Sequence, residues 1–175
     1  MKRDSHTEYV IGTKIRVKNT MQVGYTYVIE CKPGNMKDHA KFKPVYTPKQ
    51  MLKMGVFEGQ YLDPRSHEFP QSWFRGKISK NGPDPSLNQF KIKSRQPLSV
   101  WLDKGWIDPQ DPRGWFEWYC RFWMGRRTAD DTRQINRWSS FSRHAGQIKK
   151  NCPGDLTKRP RQRQALLQWS YDPFI

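Results

Sequence analysis

The residues best suited to chemistry lie in the run LTKRPRQRQALL, where Lys158, Arg159, Arg161 and Arg163 crowd the start of a predicted helix. The helix dipole is positive at that end, so each cation is disfavoured there by about 0.3–1 kcal/mol at low salt. An anion docked on the free first-turn N–H groups and held by these side chains reverses the sign of that penalty. Solvated side chains fanning away from the helix axis are the alternative. Arg126 and Arg127 follow Gly125 at the exit of an aromatic helix, where cations suit the dipole, and Arg133 and Arg137 lie one turn apart on the next helix. Between Arg113 and Arg163, thirteen Lys and Arg face four Asp and Glu, a local charge of +9. Ten of the thirteen are arginine, whose planar fork suits bidentate contacts with phosphate or a guanine edge better than an ammonium does.

A second chemistry is general acid–base catalysis. Glu58, Asp63 and Glu68 sit in an irregular aromatic segment, and Asp172 follows the last helix. Desolvation beside aromatic rings raises a carboxyl pKa and makes a general acid, although most such residues cap turns. Metal chemistry has less support: Cys31 with His39, or Cys120 and Cys152 with His144, lack the spacing of a zinc site. Three cysteines far apart fit buried thiols in a reducing compartment rather than a disulfide framework. The chain contains no P-loop, dinucleotide glycine fingerprint, HExxH, GxSxG or CxxC, so neither a metal nor a cofactor is expected.

The whole chain carries 32 Lys and Arg against 16 Asp and Glu, a formal charge of +16. Self-repulsion of that size calls for an anionic partner. Nucleic acid, DNA or RNA, leads, because closely spaced phosphates reward many separate cations through counterion release. An anionic membrane would want a basic amphipathic helix or a polybasic run beside a lipid anchor, and neither is evident. An acidic protein surface, met by an inhibitor or adaptor, is a further option. No stretch of about 18 apolar residues spans a bilayer, and MKRDSHTEYV lacks the apolar core of a secretory signal. The expected location is intracellular, in cytoplasm or nucleus, or in host cytoplasm for a viral protein.

The elements that must position these groups follow from pattern. With 175 residues the chain fits one domain, or one core with an appended module. Its mean hydropathy of −0.97 is low. Eight Trp, seven Tyr and nine Phe nevertheless supply an aromatic core. YVIGTKIRV and GYTYVIEC, separated by KNTMQV, predict two antiparallel strands, with Lys14, Arg16 and Lys18 on one face and Ile15 and Val17 on the other. Thr47, Pro48 and Gln50 form a capping box that opens a two-turn helix ending at Gly55. From Val56 to Gln89 the chain reads as a long irregular segment pinned by aromatics. Four helices are then predicted, over Pro97–Lys104, Pro112–Met124, Asp130–Lys150 and Pro160–Tyr171. Trp115, Trp118, Tyr119 and Phe122 make the second of them the central one, and their rings are read as core rather than as base-stacking surface. The fold class is α+β: an N-terminal antiparallel β element over residues 1–45, then an aromatic-rich, mainly helical basic domain over residues 46–175, with an irregular middle and a C-terminal bundle of about four helices.

Two resemblances add to this reading. NCPGDLTKRPRQRQALLQW, followed by Asp172, resembles the helix-hairpin-helix of base-excision glycosylases, in which hairpin amides hold a phosphate and a later aspartate works at the flipped nucleoside. The second glycine of that hairpin is replaced here by Leu156. GVFEGQYL, EFPQSWF, DPRGWFEWYCRFWMGRR and RPRQRQALLQW together resemble a small uncharacterised family of viral and eukaryotic proteins, from which no activity transfers. That likeness implies a shared unit over about Met51 to Asp172, with the N-terminal strands as an addition. The expected function is nucleic-acid binding through Arg126, Arg127, Arg133, Arg137, Lys158, Arg159, Arg161 and Arg163. The alternatives are a glycosylase-like or other base-modifying enzyme using one of the carboxylates, and an inhibitor or adaptor.

Overall fold

Helix α3, Trp115–Met124, lies at the centre of the computed structural model, which describes residues 9–175. Nine of its ten residues are buried, Glu117 and Arg121 among them, so the helix is enclosed on every side rather than along one stripe. Burying each of its large rings stabilises the fold by about 1.5–3 kcal/mol. Phe42, from the basic segment after the strands, packs edge-on against Trp115, Tyr119, Phe122 and Trp138, the geometry favoured by ring quadrupoles.

The N-terminal element is an antiparallel hairpin of β1, Lys14–Asn19, and β2, Gln22–Val28, with Lys14 opposite Val28 and Asn19 opposite Gln22. Asn19 closes the turn, its Oδ1 accepting from the amides of Met21 at 3.0 Å and Gln22 at 2.9 Å. The alternation seen in the sequence is kept: Lys14, Arg16 and Lys18 are exposed while Val17 is buried. Val17, Tyr27 and Ile29 belong to the same buried cluster as α3, so the core runs across residue 45, where the sequence divides. Beyond β2, the amides of Glu30 and Cys31 donate to the carbonyl of Gly125 at the end of α3. This close approach requires glycine: Gly125 has φ +108°, and a Cβ there would lie 2.0 Å from the Cys31 carbonyl oxygen.

Helix α1, Pro48–Met54, opens with the predicted capping box: the Gln50 amide donates to Thr47 Oγ1 at 3.3 Å and the Thr47 amide to Gln50 Oε1 at 2.8 Å. The segment that follows is irregular but ordered by its rings. Phe57, Phe69 and Trp73 are buried, and Phe69 stacks on Trp73 at 5.5 Å.

Five helices follow instead of about four: α2, Leu98–Asp103; α3; α4, Asp131–Ser140; α5, Ser142–Asn151; and α6, Pro160–Gln168. The single helix expected over Asp130–Lys150 breaks at Phe141. Ser140 Oγ donates back to the Asn136 carbonyl at 2.9 Å, and the Phe141 amide reaches the Trp138 carbonyl at 3.0 Å, which tightens the last turn of α4. Helix α3 starts three residues later than the Asp111–Pro112 signal suggested, because Gly114 takes φ +94° and Asp111 spends its carboxylate on Arg121 and Arg126. The α+β class holds. Among the described residues no helix is long and apolar enough to cross a membrane.

Candidate functional site

The eight expected cations separate into three groups. Arg126 and Arg163 are 1% and 0% exposed and cannot reach a polyanion on the surface. Arg126 donates to Asp111 Oδ2 at 2.6 Å inside a buried cluster. There Arg121 meets Glu68 at 2.6 Å, Asp111 at 3.0 Å and Glu117 at 3.4 Å, which locks the hairpin, the irregular middle and α3 together. Burial pushes the Glu117 carboxyl up, against the pull of Arg121.

The second group is at least partly exposed but neutralised. Arg127 donates to Asp38 Oδ2 at 2.7 Å and lies 3.9 Å over the Phe122 ring. Arg133 is paired with Asp130 on its own helix. The third group consists of Arg137, Lys158, Arg159 and Arg161, which form no ion pair with the described carboxylates. These four are the cations that remain to meet an external anion.

Arg163 corrects the electrostatic argument made for the start of α6. Its guanidinium donates to five main-chain oxygens: Lys158, Cys152 and Asp155 at 3.0 Å, Pro173 at 2.6 Å and Ile175 at 2.8 Å. A cation at the positive end of this helix is therefore offset by main-chain oxygens of the protein itself, with no external anion. The amides of Asp155, Thr157 and Lys158 donate within the same turn, to Cys152 O, Asp155 Oδ1 and Asp155 O, so this hairpin does not present them as the glycosylase hairpin presents its own.

The four candidate carboxylates are not brought together. Glu58 is fully buried at φ +52°, its Oε2 accepting from Arg95 Nε at 2.7 Å. Asp63 caps a short turn and bonds Arg65. Glu68 belongs to the buried arginine cluster. Asp172 accepts from the Phe174 amide at 2.9 Å. Cys120 and Cys152 are buried thiols as expected, whereas Cys31 is partly exposed, and among the described residues no three His, Cys, Asp or Glu side chains are grouped to hold a metal.

What the fold does assemble is a cleft of about 550 Å³ beside α3. It is lined by Trp101 of α2, Trp106 of the following loop, Trp115 and Phe116 of α3, and Phe141 and Trp169, stacked at 5.1 Å. Three arginines line it, Arg95, Arg137 and Arg143, together with His144, and no lining residue carries a carboxylate. Arg137 Nη1 donates to the Trp106 carbonyl at 2.9 Å and to Gln134 Oε1 at 3.2 Å, with its guanidinium 5.7 Å over the Trp169 ring. Burial, with the neighbouring Arg133 charge, pulls the Arg137 pKa down, the sign of a cation short of compensation. Burial also lowers His144, keeping its imidazole neutral at neutral pH.

The chain matches no family model, no curated protein and no solved structure. The case for a site therefore rests on its geometry, and two contacts tie the cleft to the basic start of α6. Ser94, in the cleft wall, donates through Oγ to the Arg161 carbonyl at 2.7 Å, and Gln162 Nε2 lies 3.2 Å from His144 Nδ1. Arg159 joins them by donating to Gln162 Oε1 at 3.1 Å. The sequence reading passed over Arg95, Trp101, Trp106, Arg143 and Trp169. The signal that points to them is Trp101 and Trp106 standing five residues apart around Gly105 in a polar segment, where Trp106 remains 41% exposed. Flat apolar walls beside undercompensated guanidinium groups suit a ligand that is aromatic and anionic at once.

Proposed function

We propose that this protein binds nucleic acid, DNA or RNA, through contacts with the phosphate backbone, and that it acts inside the cell. The observation that carries the reading is the distribution of charge left after internal pairing. Arg137, Lys158, Arg159 and Arg161 form no ion pair with the described carboxylates; Arg137 lines a cleft of arginines and indoles, and the segment carrying Arg159 and Arg161 is hydrogen-bonded to that cleft through Ser94 and Gln162. Such a surface rewards a polymer of closely spaced phosphates through counterion release. Base modification by a carboxylate is the weaker reading, because Glu58, Asp63, Glu68 and Asp172 all lie outside the lining of that cleft.

The test is a salt-titrated binding assay with single- and double-stranded DNA and RNA. Affinity is expected to fall linearly on a log–log plot, with a slope of about −0.9 per phosphate neutralised on duplex DNA and about −0.7 on a single strand. Replacing Lys158, Arg159 and Arg161 together by alanine flattens that slope without unfolding the chain. Absence of binding to every probe at low ionic strength refutes the reading and turns attention to an acidic protein partner.

A further inference from the structure

We propose that the indole-walled cleft takes a single unpaired nucleotide of a bound strand, its base against the Trp101, Trp106 and Trp169 rings and its phosphate on Arg95 and Arg137. The proposal rests on the nucleic-acid reading above and adds a preference for single-stranded or extruded nucleotides over paired ones.

Three features of the cleft point to this occupant. First, its volume of about 550 Å³ falls in the range, about 300–1,000 Å³, of sites that enclose one small-molecule-sized unit. A base pair inside a duplex has both faces stacked and cannot enter such a space; an unpaired or flipped base can. Second, the two arginines are each held by one edge with the rest left open. Arg95 is anchored through Nε by the buried Glu58 carboxylate, and its two terminal nitrogens have no acceptor among the described residues. Arg137 is anchored through Nη1 by the Trp106 carbonyl and Gln134, and its Nε and Nη2 have no acceptor among the described residues. These free N–H groups are not buried orphans, since the fully enclosed side-chain nitrogens without a partner belong to Arg126 and Trp138. Guanidinium groups fixed on one side and open on the other are preorganised for the oxygens of a phosphate. Third, the rings are at hand and partly uncovered. Trp106 is 41% exposed, with Lys104 Nζ 4.6 Å over its ring.

The arrangement also gives the buried Glu58 a purpose other than acid–base catalysis. It is a positioning residue, spending its charge on Arg95 Nε so that the terminal nitrogens of that arginine remain available.

The experiment titrates the full chain with adenosine 5′-monophosphate, adenosine, inorganic phosphate, a short oligoadenylate and a blunt duplex containing the same strand, following tryptophan fluorescence and fluorescence anisotropy. The monophosphate is expected to quench tryptophan emission at lower concentration than adenosine or phosphate, and the single strand to bind more tightly than the duplex. Trp106→Ala, at an exposed position where folding is spared, is expected to weaken single-strand binding roughly 5- to 150-fold, the range for loss of one base–aromatic stack. Arg137→Gln, which removes the charge and keeps a polar side chain, is expected to abolish the advantage of the monophosphate over adenosine. Equal binding of single strand and duplex, with Trp106→Ala and Arg137→Gln both without effect, overturns the cleft proposal while the phosphate-backbone reading stands. No binding of any polynucleotide overturns both.

Discussion

Arg161 and Arg163 stand two residues apart at the start of one basic helix, and the structure predicts opposite consequences for removing them. Arg163→Ala deletes donors to five main-chain oxygens. Those of Lys158, Asp155 and Ile175 lie on partly exposed segments and can recruit water. The oxygen of Cys152 keeps the Asp155 amide as a donor, whereas that of Pro173 is buried and stays unsatisfied. At about 1–3 kcal/mol for a buried acceptor left without a partner, the loss is roughly 1–3 kcal/mol. For a chain of this size that corresponds to a fall in Tm of roughly 2–12 °C. Arg161→Ala removes an exposed side chain with no protein acceptor among the described residues, so Tm should hold within about 2 °C. In the salt-titrated assay the roles reverse: Arg161→Ala lowers the slope by up to about one unit, and Arg163→Ala, measured well below its melting temperature, leaves the slope intact. Calorimetry of the two variants beside the binding titrations decides the matter. An Arg163→Ala protein that melts like the parent but loses slope would show that its guanidinium faces an external anion, and the account given for the start of α6 would be wrong.

Three further outcomes are expected. Arg121→Met leaves Glu68, Asp111 and Glu117 in the interior with too little positive charge, which should cost about 3–5 kcal/mol in denaturant unfolding. Adding Glu68→Gln to it should cost less than the sum of the two single changes, because both disturb the same cluster. Gly125→Ala forces a side chain into a left-handed backbone and against the Cys31 carbonyl, so it should destabilise by more than the roughly 1–3 kcal/mol of backbone strain alone, read as a lower denaturation midpoint. The hydrogen bond from Arg127 holds the Asp38 carboxyl below its usual range. A depressed carboxyl pKa contributes stability above the unfolded value of about 3.9 and loses it as pH falls through the folded value. Asp38→Asn should therefore lower Tm at neutral pH, and the gap between parent and variant should close on acidification below about pH 4; a gap that persists at low pH refutes the linkage.

Short-range physics was legible in the residues themselves. The hairpin follows from alternating charge and β-branched side chains between Lys14 and Val28, the start of α1 from the Thr47–Gln50 capping box, and the central helix from rings three and four residues apart. Each of these depends on neighbours within about one turn or one strand, so spacing along the chain suffices. The fate of charge was not legible. Arg127 finds its carboxylate 89 residues away, Arg121 finds Glu68 at 53 and Gln22 at 99, and Arg163 finds main-chain oxygens rather than an acidic side chain. An arginine has the same formal charge buried in a carboxylate cluster, wrapped by a loop or open to solvent, and packing over the whole chain sets which of these it meets. The cleft is of the same kind. Its walls come from the middle segment and from α2 through α6, none of which carries a signature on its own, and an indole at helical spacing reads as core until the fold leaves one side of it uncovered. Local pattern fixes which elements form, because hydrogen bonds and side-chain spacing act between near neighbours; the choice of ion partners and the opening of the cleft belong to long-range packing, because both depend on which surfaces meet.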